Sequence, residues 1–207
     1  MEEETLMRIR LALTLALRDP AAGVQVQAAR ALERIEGVSA LQHLAVTADS
    51  PDTAGALRSL YAVADIGGEE AFAILCNALQ APHAEVRATA VKLLARTKDP
   101  RVANHFIEAL EDPNPDVKVL ILEVLGDFRE PRLLEVLLPQ LQQGSGPIRE
   151  AAITALGNLG DLRAVDALLP LVTDLTPAVR ERIAEALGRL GVRAAEEGKL
   201  KEITPPA

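Results

Sequence analysis

The 207-residue chain has 22 basic and 30 acidic residues, a net charge of −8, and is 49 % apolar but only 2 % aromatic. An acidic balance opposes binding along a phosphate backbone, and no apolar run reaches the roughly 18 residues a membrane helix needs. The single cysteine, Cys76, excludes an internal disulfide framework, which together with the acidic start Met1-Glu2-Glu3-Glu4 fits the cytoplasm.

In chain order, Met1 to Met7 opens a first amphipathic helix over residues 9–17, and Asp19-Pro20 breaks it. A second helix runs from Val24 to Ile35 and closes at Gly37. The same pair of helices then recurs. First helices are expected at 40–48, 71–79, 102–110, 133–141 and 164–172, and second helices at 55–66, 86–97, 117–128, 148–159 and 179–190. Ser50-Pro51, Ala81-Pro82, Asp112-Pro113, Gly144 with Pro147, and Pro177 stand before the second helices, as N-cap and first-turn residues do. Gly67-Gly68, Gly160 and Gly191 close the other ends. Pro139 and Pro170 fall inside first helices, where the missing N–H should bend them. Residues 192–203 predict a short closing helix, and Thr204-Pro205-Pro206-Ala207 a frayed tail.

The repeat step is 31 residues. From the anchors Val24, Gly55, Val86, Val117, Ile148 and Val179, apolar residues recur four, seven, eight and eleven positions on, as in Ala152, Ala155, Leu156 and Leu159. These offsets make one face of an α-helix. First helices carry Leu13, Leu44, Leu75, Phe106, Leu137 and Leu168 at one shared position. Such pairs cannot bury their faces alone, but stacked they share a continuous core. The fold expected is therefore all-α, a right-handed α-solenoid (α-α superhelix) of six 31-residue helical-hairpin repeats with terminal caps. The repeats span about 1–37, 38–68, 69–99, 100–130, 131–161 and 162–191, within one domain over 1–203.

The sequences Asp112-Pro113-Asn114-Pro115-Asp116-Val117-Lys118, Ile148-Arg149-Glu150-Ala151-Ala152 and Ala155-Leu156-Gly157-Asn158-Leu159-Gly160-Asp161 resemble HEAT repeats of the short class found in phycobilisome lyases and bacterial scaffold proteins. The resemblance covers about residues 9–191. It implies that second helices line a concave groove. It also implies that Arg87, Lys118, Arg149 and Arg180, one position after each anchor, form ladders between repeats with turn acids such as Asp112, Asp161 and Asp174. HEAT-like deoxyhypusine hydroxylases bind iron through His-Glu pairs, and none of His43, His83 and His105 is followed by Glu. HEAT-like DNA glycosylases use a basic concave surface with aromatics, which this chain lacks.

No phosphate loop, nucleophile elbow or ligand cluster is present in the sequence, so no catalytic residue, metal or cofactor is expected. Cys76, with no His within helical reach, reads as a packed thiol. Information on function lies where the repeats differ on the side of the second helices away from the core. There Leu57, Leu60, Tyr61, Val91, Val119 and Leu122 make an apolar stretch, and Glu150, Glu181 and Glu185 an acidic one. Leu60, Val91 and Leu122, five after the anchor, either line the groove or pack against the neighbouring repeat. The expected function is a non-catalytic scaffold or adaptor that binds a protein or peptide segment in the concave groove, with neither nucleic acid nor membrane as partner and self-association possible. The alternatives are a phycobiliprotein chromophore lyase-like protein and a nucleic-acid-binding HEAT-like protein.

Overall fold

The computed structural model describes residues 2–48, 52–144 and 146–196. Every regular element among them is helical. The described helices gather into two compact units, residues 1–78 and 79–207. The first holds α1 (Glu2–Ala16), α2 (Ala22–Ala48), α3 (Thr53–Ile66) and α4 (Gly68–Asn77). The second holds α5 (Ala84–Thr97), α6 (Val102–Ala109), α7 (Pro115–Asp127), α8 (Leu133–Gln143), α9 (Gly146–Leu159), the single turn α10 (Val165–Leu168) and α11 (Pro177–Glu196).

In the first unit α1 packs on α2, and α2 on both α3 and α4. Its core is small: Ala28, Ala56, Leu60, Val63, Ala71 and Leu75 are buried. The second unit is built by the 31-residue grammar. Val86, Ala90 and Leu94 on α5, Val117, Ile121 and Leu125 on α7, Ala152 and Leu156 on α9, and Val179 and Ile183 on α11 are all buried. They meet Phe106, Leu137 and Leu168 from the first helices, each with no exposed surface. Phe106 adds an edge-to-face contact with Phe128, 6.2 Å between ring centres. Each large apolar side chain buried in this way contributes about 1.5–3 kcal/mol.

Four local expectations are corrected. Gly37 does not end a helix, because α2 continues through it to Ala48. Gly191 likewise lies inside α11, which runs to Glu196; the closing helix beyond it, with Leu200 and Ile203, lies outside the described residues. The helix expected over 164–172 is one α-turn flanked by 3-10 turns, Leu162–Ala164 and Leu169–Thr173. Pro170 has no N–H to continue the α-ladder there, whereas Pro139 is accommodated within α8.

The fourth correction concerns the caps. The N-cap residues of α3, α5 and α7 are Asp52, His83 and Asn114, two positions after the residues expected. Asn114 Oδ1 accepts from the backbone N–H groups of Asp116 (2.8 Å) and Val117 (3.4 Å), and Pro115 takes the first helical position. Asn114→Ala should therefore cost about 1 kcal/mol, seen as an earlier midpoint in urea unfolding followed by circular dichroism. The shift also releases Asp112 from capping the helix.

Candidate interaction surface

The anchor-plus-one arginines are largely committed to holding repeats together. Arg87 on α5 donates from Nε and Nη2 to the two carboxylate oxygens of Asp112, at 2.6 and 2.8 Å. Its Nη1 donates to the Ala81 and Pro82 carbonyls, at 2.8 and 3.0 Å. Both partners are buried. Asp112 also accepts from the Asn114 backbone N–H at 2.8 Å. Burial alone would raise the Asp112 carboxyl, but the Arg87 bonds, the Asn114 N–H and the nearby charges of Arg87 and Lys118 hold it below the usual carboxylate range. Sixty-two residues on, the arrangement recurs: Arg149 Nη2 stands 3.0 Å from Asp174, which accepts from the Thr176 N–H. Arg180 donates to the Asp174 and Leu175 carbonyls. Asp161 departs from the expected ladder. It caps its own turn, accepting from the Arg163 N–H at 3.0 Å and pairing with the Arg163 guanidinium at 2.7 Å. That Arg163 bond, outweighing burial, keeps its carboxyl low.

A second set of rungs joins α7, α9 and α11. Asn158 Nδ2 donates to Asp127 at 3.1 Å, and Arg189 donates to Asn158 Oδ1. These three residues stand 31 apart, so the spacing carries the signal. Asp99 with Arg101, Glu130 with Arg132 and Asp161 with Arg163 form local pairs in the same register. Gly67, Lys98, Arg129 and Gly160 stand in one register as well, and all take a positive φ, from 52° to 72°. Both patterns were legible as 31-residue repeats of acid-x-Arg and of the residue after the helix end. Around Arg129 lies a hollow of about 540 Å³, lined also by Asp127, Asn158, Gly160, Arg189 and Arg193. Arg193 lies directly over Gly160: a methyl group there would come within 2.7 Å of its guanidinium.

The helices of the second unit stack in series, α5 against α7, α7 against α9, and α9 against α11. This series settles the open position five after the anchor. Leu60, Val91 and Leu122 have no exposed surface, and Ile153 is equally buried. They are core, not lining; within the second unit, side chains on that flank meet the helix of the next repeat. Gly126 and Gly157 are buried on the same flank, where an added methyl would stand 2.7 and 2.8 Å from the Cα atoms of Ala155 and Ala186 on the following helices.

The positions that remain open carry charge. Val119 is half-buried, Glu123, Glu181 and Glu185 are exposed, and Glu150 is half-buried beside Thr154, whose hydroxyl donates back to the Glu150 carbonyl at 3.1 Å. Glu185 already receives Arg182 and Arg189, at 3.4 and 2.6 Å. In the first unit Leu57 is half-buried and Tyr61 is 52 % exposed. His83 and His105 lie on separate elements, the side chain of His43 lies outside the described residues, and Cys76 is half-buried. Among the described residues no three His, Cys, Asp or Glu side chains converge to hold a metal ion. No described helix is long and apolar enough to cross a membrane.

The model for HEAT repeats matches residues 45–112 and 103–188. The chain belongs to the HEAT-repeat family. Its fold is accordingly the all-α solenoid of that family. No curated protein sequence matches it. Among solved structures, this HEAT-repeat chain is similar to YibA of Escherichia coli, at 22 % identity and a TM-score of 0.57, covering 88 % of this chain and 67 % of that one. It is similar also to the complex of CpcE and CpcF of phycocyanin lyase from Nostoc sp. PCC7120, at 18 % identity and a TM-score of 0.60, over 77 % of this chain and 69 % of that one. Cex1p matches at 13 % identity and a TM-score of 0.59, covering 95 % of this chain and 44 % of that one. At these identities the likenesses are likenesses of fold.

Proposed function

We propose that the protein is a non-catalytic adaptor that holds a basic segment of a partner protein against the open side of α7, α9 and α11. The observation that carries this is the row Glu123, Glu150 and Glu181, one carboxylate on each of three successive stacked helices, on the side away from the core. Of the arginines nearest in register, Arg149 pairs with Asp174 and Arg180 donates to the Asp174 and Leu175 carbonyls, so neither neutralises the row. Stacked helices sit about 8–10 Å apart, a spacing that suits a peptide laid across them with basic side chains reaching successive helices. Glu185 would join once a partner displaces Arg182 and Arg189, both exposed pairs of little intrinsic strength. Val119 offers an apolar contact beside the row. A chromophore-lyase role draws only on the likeness of fold to CpcE and CpcF.

A labelled lysine-rich peptide read by fluorescence anisotropy tests the proposal. Binding should weaken steeply as salt rises. The triple variant Glu123→Lys, Glu150→Lys, Glu181→Lys should lose at least about tenfold in affinity while keeping its helical circular dichroism. Equal binding by the variant sinks the reading.

A further inference from the structure

The first helix breaks the repeat grammar on its outer side. In 31-residue register, Leu11 stands where repeats three to six carry Ala73, Asn104, Glu135 and Asp166, and Leu15 where they carry Asn77, Glu108, Pro139 and Pro170. All eight of those later residues are exposed. So are their counterparts in α1, but there they are apolar: Met7, Leu11 and Leu15 are 73 %, 63 % and 62 % exposed. The stripe is not the flank that packs on α2. Leu13, half-buried, lies about 200° round the helix from Leu11 at 100° per residue.

At each end the stripe finishes in a charge. Helical hydrogen bonding continues past Ala16, with the Leu17 N–H on the Leu13 carbonyl and the Arg18 N–H on the Leu15 carbonyl. The face therefore reads Glu4, Met7, Leu11, Leu15, Arg18, with steps of three, four, four and three. These five fall within about 80° of one another. Glu4 and Arg18 are exposed and engage no ion pair among the described residues. The face is symmetric about Leu11 in position and antisymmetric in charge. A second copy of α1 laid antiparallel puts Leu11 against Leu11 on a twofold axis, Met7 against Leu15, and Glu4 against Arg18 at both ends. Parallel pairing would set Glu4 on Glu4. An isologous interface requires this kind of self-complementarity.

We propose that the protein forms a homodimer through antiparallel pairing of α1 helices, centred on Leu11. The proposal does not depend on the acidic row of the second unit. Sedimentation equilibrium of the full chain, from micromolar to submillimolar concentration, tests it. The unaltered chain should show a monomer–dimer equilibrium. Leu11→Asp should weaken it at least about tenfold, since each dimer would bury two facing carboxylates, with the circular dichroism unchanged. Glu4→Arg and Arg18→Glu, both fully surface changes, should each weaken the dimer about fivefold, and the two together should restore it. A monomer throughout the range overturns the proposal, as does a dimer indifferent to Leu11→Asp or a double charge exchange that fails to restore association.

Discussion

Asp112→Ala should destabilise the protein by about 3–5 kcal/mol, because it leaves the Arg87 guanidinium buried without its counter-charge. Arg87 enters the core between α5 and the turn before α7, with its side chain 10 % exposed and that of Asp112 3 %. Four of its N–H bonds are satisfied there, two by the carboxylate and two by main-chain carbonyls. Removing the carboxylate orphans two of those donors and uncovers a charge. Arg87→Met with Asp112→Leu removes both charges together and should cost less than either single change. Urea unfolding of the parent, Asp112→Ala, Arg87→Met and the double variant, followed by circular dichroism, checks the order. The pH dependence has a definite sign. The Asp112 carboxyl is lowered in the folded protein, and Asp174 is lowered as well, by the Thr176 N–H and by Arg149. Each contributes stability that is fully present above the unfolded carboxylate pKa of about 3.9 and is lost as pH falls through the lower folded value. The midpoint should thus be insensitive to these groups from neutral pH down to about 4 and drop below that. The acid-induced drop should be smaller in the double variant.

Gly126→Ala and Gly188→Ala should move stability in opposite directions. By helix propensity alone each would gain up to about 1 kcal/mol. A methyl group on Gly126, however, would stand 2.7 Å from the Ala155 Cα and 2.8 Å from its carbonyl oxygen. Backbone cannot rotate aside as a side-chain tip can, so α7 and α9 must separate, and overpacking of this kind costs about 1–3 kcal/mol. Gly157 faces Ala186 on α11 at 2.8 Å and should behave as Gly126 does. A methyl on Gly188 meets nothing within 4 Å, so its substitution should stabilise α11. Thermal midpoints of the three single variants decide the matter. A Gly126→Ala protein as stable as the parent would mean that the α7–α9 approach is looser than described.

The class of fold and the core of the second unit are legible in the 31-residue pattern alone. Offsets of four, seven, eight and eleven from each anchor recur with small and aliphatic residues, and Val117, Ile121, Leu125, Ala152, Leu156 and Ile183 are buried as that pattern demands. The pairing of Arg87 with Asp112 and of Arg149 with Asp174 was also legible, once the resemblance to HEAT repeats was seen. Three things needed the tertiary structure. Val91, Leu122 and Ile153 belong to the core because a repeat has two neighbours, and a helical wheel shows the packing of only one. Gly37 and Gly191 sit within helices although Gly67 and Gly160 end theirs: glycine permits a left-handed stop without requiring one, and Lys98 and Arg129 make the same stop without glycine. The outer face of α1 reads from sequence as one more amphipathic helix. Only its exposure, against polar counterparts in the later repeats, separates an unpartnered apolar stripe from a core flank, because burial depends on what lies across the helix and not on the helix itself.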